Sequence, residues 1–148
     1  MLDLKIPPPI IWILSALAML KIAGFPSHPK WLYLSVSLGI SILAIVIAIL
    51  AITRFRHHKT TIHPHHLDRV CALVTDGIYR YTRNPMYLSL LLLLFSFGIF
   101  LGNWLTLFPI LFFIGYLTQF QIKPEEYILA KRFGDDFMLY KDKVRRWI

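Results

Sequence analysis

The amino-acid sequence predicts an all-α integral membrane protein with four transmembrane helices, arranged as two hairpins, and a C-terminal cytoplasmic amphipathic helix. Three observations predict this class. Hydrophobic residues make up 57% of the 148 residues and charged residues only 16%, whereas a soluble domain holds roughly half and a quarter. The chain contains four apolar stretches, each a candidate helix. Most Lys and Arg residues lie at one end of these predicted helices. The composition therefore argues against a water-soluble globular domain.

The four apolar stretches cover residues 10–25, 31–53, 86–101 and 104–121. A helix that crosses about 30 Å of hydrocarbon needs roughly 17–25 residues. The second and fourth stretches are long enough by themselves, whereas the first and third need flanking residues to complete the span. Gly24 and Pro26 break the chain after the first stretch, and Gly102 breaks it after the third. These short tips predict that each pair of helices packs as an antiparallel hairpin.

Charge is distributed unevenly between the two ends of the predicted helices. Fourteen of the sixteen Lys and Arg residues lie near the termini or in the central connection, and only Lys21 and Lys30 lie at the opposite tip. Because cytoplasmic loops carry the excess of Lys and Arg, we expect both termini and the central connection to be cytoplasmic. All eight acidic residues share that side, so ionic chemistry is expected at the cytoplasmic membrane boundary.

The C-terminal segment carries one apolar stripe at helical spacing. The residues of the stripe are Leu129, Phe133, Phe137, Tyr140, Val144 and Trp147. Pro124 suits the first turn of such a helix, and Glu125 and Glu126 suit its N-terminal end, where the helix dipole is positive. Gly134 interrupts the pattern and predicts a bend or a close contact. An amphipathic helix at the membrane surface is typical of this pattern.

The densest polar cluster, residues 77–87, reads GIYRYTRNPMY and runs directly into the third apolar stretch. Pro85 fits the first position of that helix and biases Asn84 away from helical geometry. We expect Asn84 to cap the helix, whose free backbone amides make a polar site at the membrane boundary. Interfacial tyrosines and snorkelling arginines would explain the same residues without any site. The residue types alone leave both interpretations open.

Motif spacing favours a functional site. The motif R-N-P-x-Y follows G-x-Y-R, and E-E-x-x-L-x-x-x-F-G-x-x-F-x-x-Y-x-x-x-V-x-R-W begins at residue 125. In this order, and together with residues 60–64 and 73–75, the sequence resembles the isoprenylcysteine carboxyl methyltransferase family. That family includes small bacterial members and related phospholipid methyltransferases. The resemblance covers residues 60–147, which is more than half of the chain.

The resemblance implies an integral membrane enzyme that transfers a methyl group from S-adenosylmethionine without a soluble Rossmann domain. The sequence agrees, because it has no G-x-G-x-x-G motif after a strand. We expect one domain, residues 1–148, with an N-terminal helical hairpin at 1–53 and a cofactor-binding catalytic core at 54–148.

By position, the resemblance implies two groups of site residues. The residues implied to bind the cofactor are Cys71, Ala72, Leu73 and Val74, largely through their backbone, and Tyr79, Asn84, Pro85, Met86, Tyr87 and Glu125. The residues implied to be catalytic are Arg83, Glu126 and Arg146. Two positions depart from the family pattern. Asn84 stands where histidine is common, and Gln121 stands where the eukaryotic enzymes carry an arginine that contacts the substrate.

The residue types suit this chemistry. S-adenosylmethionine carries a sulfonium, an ammonium and a carboxylate, so acidic and aromatic groups suit the cations and Arg or Asn donors suit the carboxylate. A carboxylate acceptor is already ionised at pH 7 and needs no base, and Arg83 or Arg146 can hold it bidentately. An amine acceptor needs a base, for which Glu126 or a histidine such as His63 is a candidate.

We therefore expect carboxyl O-methylation of a lipophilic small-molecule or lipidated acceptor. The alternatives are N-methylation of a lipid amine, a noncatalytic membrane protein that binds anionic lipid or a partner, and a small membrane reductase. Membrane lipids, including anionic ones, are expected partners, and nucleic acid is not.

Two further residue types bear on cofactors. The histidines at 57, 58, 63, 65 and 66 form a cluster of a kind that can bind a transition metal, but the resembled family needs none, so no metal site is expected. Cys71 is the single cysteine, which excludes an intramolecular disulfide. We expect it to be a small buried residue rather than a nucleophile.

Overall fold

The computed structural model describes residues 6–26, 30–57 and 72–148, and these ranges contain helices and turns but no strand. The predicted all-α class is therefore confirmed for the described residues. The helices are α1 (Pro8–Ala23), α2 (Trp31–His57), α3 (Pro85–Leu101), α4 (Leu107–Leu117), α5 (Lys123–Phe133) and α6 (Asp135–Lys143). Short 3₁₀ turns lie at Gly77–Arg80 and Trp104–Thr106, and a π-helical turn, Thr118–Ile122, joins α4 to α5.

Two helices are long and apolar enough to cross a membrane: α2, with 27 residues, and the continuous 30-residue run Trp104–Phe133. The other two apolar helices, α1 and α3, have 16 and 17 residues. The outer faces of α2 and α4 expose large apolar side chains such as Leu38, Ile42 and Leu111. Contiguous exposed apolar surface of this kind is costly in water and suits contact with lipid.

The first predicted hairpin does not pack as its short loop predicted, whereas the helices of the second, α3 and α4, are in contact. α2 packs mainly on α3, whereas α1 packs on α3 and α4, so α3 lies at the centre of the bundle. Within the described residues, α1 and α2 are scarcely in contact, and the expected antiparallel packing of these two helices is wrong. Loop length alone does not determine which apolar faces meet.

Small residues explain the choice of partner for α2. The buried residues of α2 are Ser37, Ala44 and Ala51, seven positions apart on one face. The Ser96 hydroxyl of α3 donates to the Ser37 carbonyl over 2.7 Å and lies 2.6 Å from the Ser41 hydroxyl. Small side chains let two apolar helices approach closely, and hydroxyl groups link them in the absence of water. The close approach of small residues therefore accounts for the packing of α2 on α3.

The C-terminal helix differs from the expectation in two ways. Pro124 lies in the first turn of α5, as predicted, but α5 continues directly from α4 through the π-helical turn instead of starting as a separate helix. Gly134 has φ 51° and ψ −124° and divides the segment into α5 and α6. This confirms the bend, which was one of two alternatives. Its local chain neighbours aside, no atom of the described residues lies within 4 Å of the position that a Cβ would take, so the other alternative, a close contact, does not occur there.

The apolar stripe folds back on the chain. Phe137, Tyr140 and Val144 form one buried cluster, against which Leu73, Leu129 and Phe133 pack. Trp147 packs instead against the main core between the apolar helices. The stripe thus fixes the C-terminal segment to the start of α3, which is where the polar residues of the candidate site lie.

Candidate active site

The chain after α6 is hydrogen-bonded to the segment that precedes α3. The backbone amide of Arg83 donates to the Arg145 carbonyl over 3.0 Å. The Asn84 side-chain amide donates to the Arg146 carbonyl over 3.0 Å, and the Thr82 hydroxyl donates to the same carbonyl over 3.4 Å. Asn84 stands at the N-cap position of α3, but its side chain makes no capping hydrogen bond. The expected capping role is wrong, because the side chain binds the C-terminal segment instead.

This arrangement brings the three residues implied to be catalytic together. Arg146 holds the Glu126 carboxylate bidentately, with Nε 2.9 Å from Oε1 and Nη2 2.7 Å from Oε2. Arg83 Nη2 lies 3.1 Å from Glu126 Oε1. The side chains of Arg83 and Glu126 are 8% and 12% exposed and that of Arg146 is 30% exposed. Hydrogen bonding to Glu126 raises the pKa of Arg146 above its ordinary value, which keeps this guanidinium charged.

Arg83 has donors to spare in this cluster. Its Nε and Nη1 atoms are buried and have no hydrogen-bond partner among the described residues. A buried cationic donor without a partner costs free energy, so it calls for an explanation. Two guanidinium groups and one carboxylate also leave a net charge of about +1 by formal counting. The cluster is thus suited to receive an anionic group.

Glu125, the neighbouring residue, has a different environment. The Tyr87 hydroxyl donates to Glu125 Oε1 over 2.5 Å, and the Gln121 side-chain amide donates to the same oxygen over 2.9 Å. Both donors are uncharged, and no cation pairs with Glu125 among the described residues. Among the described residues, this carboxylate therefore has no ion-pair partner that a cationic ligand would have to displace.

Tyr79 lies in the short turn before α3, close to both clusters. It is buried against Ala51 and Val74, and its ring meets that of Phe55 edge-on with centroids 5.4 Å apart. The Tyr140 hydroxyl donates to the Tyr79 carbonyl over 2.7 Å. Burial raises the pKa of the Tyr79 hydroxyl well above its ordinary value, and the nearby charges of Tyr140 and Glu125 add to the increase. The Tyr79 side chain is therefore uncharged, and its ring can line the candidate site.

The remaining residues implied to bind the cofactor occupy several places. Val74 and Met86 belong to the same apolar cluster as Tyr79, and Pro85 is buried at the start of α3. Leu73 packs instead into the cluster around Phe137. Ala72 is half-buried, and Cys71 lies outside the described residues. Since the side chains of 73 and 74 are used in packing, only their backbone is left for a ligand.

Two contacts of this site lie outside the residues that the motifs indicate. Gln121 was noted only as a departure from a family pattern, yet it is buried and bonds to Glu125. The four-residue spacing of these two side chains is a usable signal, but the helix break expected before Pro124 concealed it. Tyr140 was assigned only to the apolar stripe, although its hydroxyl bonds to the Tyr79 carbonyl.

The metal hypothesis concerns residues that the structure mostly does not describe. Of the clustered histidines only His57 belongs to the described ranges, and those at 58, 63, 65 and 66 lie outside them. Among the described residues, no group of three or more His, Cys, Asp and Glu side chains is arranged to hold a metal ion.

An apolar helical bundle with candidate membrane spans and a buried Arg–Glu–Arg cluster at one end defines a class: helical membrane proteins with a polar site beside the lipid. The family model of the phospholipid methyltransferases matches residues 32–136. Since this match spans more than half of the chain, the protein belongs to the phospholipid methyltransferase family. Helix composition and family together indicate a membrane methyltransferase, in agreement with the resemblance found in the sequence.

Two relatives extend this comparison. An uncharacterised protein of Haemophilus influenzae is 49% identical over 63 residues, which are 43% of this chain and the whole of that protein. The protein-S-isoprenylcysteine O-methyltransferase of Schizosaccharomyces pombe is 38% identical over 73 residues, which are 49% of this chain and 30% of the yeast protein. The chain thus matches under a third of the yeast enzyme's length. No solved structure matches the chain significantly.

Proposed function

We propose that the protein is an S-adenosylmethionine-dependent methyltransferase that methylates a carboxylate of a lipophilic acceptor at the cytoplasmic membrane boundary. The buried Arg83 guanidinium carries this proposal. It binds Glu126 through Nη2 and has two further nitrogens without a partner among the described residues. A carboxylate is the acceptor group that such donors recognise best, since charge-assisted bonds to Arg are strong and directional.

The residues around Glu125 fit the cationic cofactor. When bound, S-adenosylmethionine supplies an activated methyl group and leaves as a neutral thioether. Glu125 would bind its cationic groups, and the rings of Tyr79 and Tyr87 would add cation–π contacts worth about 0.5–2 kcal/mol each. Asn84 and the backbone of residues 72–74 supply neutral donors and acceptors. The uncharged partners of Glu125 support this fit, because they leave its charge unneutralised.

The acceptor side needs orientation more than acid–base chemistry. A carboxylate with an ordinary pKa near 4 is ionised at pH 7, so its oxygen can attack the methyl carbon without losing a proton. Arg83 and Arg146 would orient that oxygen and hold the acceptor in line, which lowers the entropic cost of the reaction. Both arginines are already positioned by Glu126. The role of Glu126 is then to position two guanidinium groups rather than to accept a proton.

A lipid amine is the second candidate acceptor, as in the phospholipid methyltransferases that give the family its name. This reaction requires a base that removes a proton from the amine. Glu126 is the carboxylate beside Arg83, but both of its oxygens already accept hydrogen bonds from Arg146. The contacts of Glu126 therefore favour carboxylate methylation.

The proposal includes the topology: all four apolar helices cross the membrane, and both termini and the site face the cytoplasm. The uneven distribution of Lys and Arg supports this orientation, and short helices such as α1 and α3 are accommodated by local thinning of the bilayer. Cysteine labelling tests it in a Cys71→Ser background. A membrane-impermeant thiol reagent should label Lys21→Cys on intact cells and Lys141→Cys only after lysis. Labelling of Lys141→Cys on intact cells would contradict the orientation.

The decisive experiment is transfer of labelled methyl from S-adenosylmethionine into a lipid extract of the host. We expect a base-labile product, which identifies an ester, whereas a base-stable product would contradict carboxyl methylation and support an amine acceptor. Arg83→Gln should lower kcat/KM by about 100-fold or more, with a much smaller effect on the Kd of the cofactor. Lys131→Gln, which removes an exposed positive charge from α5, is the matched control. Absence of cofactor binding in folded protein would overturn the proposal.

A further inference from the structure

A groove lies beside the turn that precedes α3, separate from the two glutamates. Its volume is about 350 Å³, and it is lined by Leu50, Arg54, Gly77, Ile78, Arg80 and Tyr81. The lining thus combines the cytoplasmic-end turn of α2 with the 3₁₀ turn Gly77–Arg80. None of the residues that line the groove contacts Glu125 or Glu126. The proposed methyl transfer assigns no role to the groove.

The position of Arg54 in this groove is determined by its neighbours. Its Nη1 lies 3.2 Å from Asp76 Oδ2. Its side chain also crosses Gly77, where a Cβ would lie 2.5 Å from Arg54 Nε. Gly77 has φ 58°, a left-handed conformation that glycine adopts without strain. A larger residue at 77 would therefore both strain the turn and displace the arginine.

The described residues of the groove carry a net positive charge. Arg54 and Arg80 contribute two guanidinium groups, and Asp76 compensates for one of them. Arg80 is exposed, and the Arg54 side chain remains 45% exposed despite its ion pair. Guanidinium groups beside apolar side chains are suited to phosphate, whose oxygens accept bidentate hydrogen bonds.

The other lining residues favour a lipid as the source of that phosphate. Leu50 and Ile78 are apolar, and Tyr81 is 76% exposed, as is typical of tyrosines at a membrane–water interface. Leu50 shares one face of α2 with the exposed apolar side chains of Leu43 and Val46, seven and four positions earlier. A soluble phosphate would make no use of this face, whereas acyl chains would cover it.

We propose that this groove binds the phosphate of an anionic membrane phospholipid, with the acyl chains along α2. The same turn that exposes Arg80 and Ile78 to the groove buries Tyr79 towards Glu125. A bound lipid would therefore hold this turn, and with it one wall of the candidate active site, against the membrane surface. The inference is independent of the reaction, because it concerns a binding site on the outer side of the turn.

The test is lipid binding to the purified full-length chain in detergent, followed by native mass spectrometry. We expect phosphatidylglycerol to bind more tightly than phosphatidylcholine, and Arg80→Gln to weaken phosphatidylglycerol binding about tenfold. Arg54→Gln should weaken it similarly, whereas Lys131→Gln, which loses the same charge on α5, should change it less than twofold. Inorganic phosphate at millimolar concentration should not displace the lipid. Circular dichroism and the Tm of each variant verify that it is folded.

Three results would overturn the inference. Equal binding of phosphatidylglycerol and phosphatidylcholine would remove the role of charge. Equal losses in Arg80→Gln and Lys131→Gln would indicate attraction by net charge alone. Displacement by inorganic phosphate would identify a site for the free anion instead of a lipid. Methyl transfer can succeed or fail in each case, so the two proposals are tested separately.

Discussion

Glu125 and Glu126 are consecutive residues in the first turn of α5, yet their surroundings differ in charge. Glu125 accepts hydrogen bonds from the neutral groups of Tyr87 and Gln121. Glu126 is held by two guanidinium groups, those of Arg83 and Arg146. Successive residues on a helix point about 100° apart, so one short sequence presents two carboxylates to two different neighbourhoods.

This difference teaches how one pair of acidic residues can serve two ligands of opposite charge. The region around Glu125 holds a carboxylate without an ion-pair partner among the described residues and suits a cation. The region around Glu126 carries an excess positive charge and suits an anion. A methyl donor that is a sulfonium and an acceptor that is a carboxylate have this same pair of charges. The variants below separate the two regions, beginning with the largest expected effect.

Removal of the Glu126 carboxylate should affect stability most. Glu126→Ala leaves the buried Arg83 guanidinium without its partner, which costs about 3–5 kcal/mol for a buried ion pair broken on one side. We expect a large decrease in Tm in detergent. Asp142→Ala, which removes an exposed carboxylate from α6, should leave the Tm nearly unchanged. Equal Tm values for Glu126→Ala and the unmodified protein would contradict the buried ion cluster.

The Glu125 carboxylate should matter for cofactor affinity instead. Glu125→Gln keeps the shape of the side chain and removes its charge, so binding of S-adenosylmethionine should weaken by about 1.5–3 kcal/mol. This is a loss of roughly 10- to 150-fold in affinity, measured by isothermal titration calorimetry. Asp142→Asn provides the matched control for the loss of charge. An unchanged Kd would remove Glu125 from the cofactor site and break the comparison.

The Tyr87 hydroxyl should have a smaller effect of the same kind. Tyr87→Phe removes a donor to Glu125 but leaves the ring and the second donor, Gln121. The binding free energy of the cofactor should weaken by about 1–1.5 kcal/mol, which raises its Kd roughly 5- to 12-fold. Tyr127→Phe makes the same change at a side chain that is 72% exposed, and it should bind the cofactor normally. A Tyr87→Phe protein with unchanged affinity would assign this hydroxyl to packing alone.

The sequence predicted the members of the two clusters better than their neighbours. The family resemblance implies Arg83, Glu126 and Arg146, and the structure brings them into contact. The bond between Gln121 and Glu125 was not predicted despite their four-residue spacing, because it depends on α4 and α5 being one continuous helix. The packing of α1 and α2 was predicted wrongly. Small residues such as Ser37 and Ala44 determine which helix α2 packs against. In the sequence, their pattern is a weaker signal than the short loops.

The hydrogen bonds that the Arg145 and Arg146 carbonyls accept had no sequence signal, since any residue carries such a backbone acceptor, and the last prediction concerns them. Asn84→Ala removes the 3.0 Å bond to the Arg146 carbonyl and should cost about 0.5–1.5 kcal/mol. Gln119→Ala, which truncates an exposed amide, should cost less. Because Arg83 donates to the adjacent Arg145 carbonyl, hydrogen exchange at the Arg83 amide should accelerate in Asn84→Ala. Unchanged exchange there would mean that the C-terminal segment holds its position without Asn84.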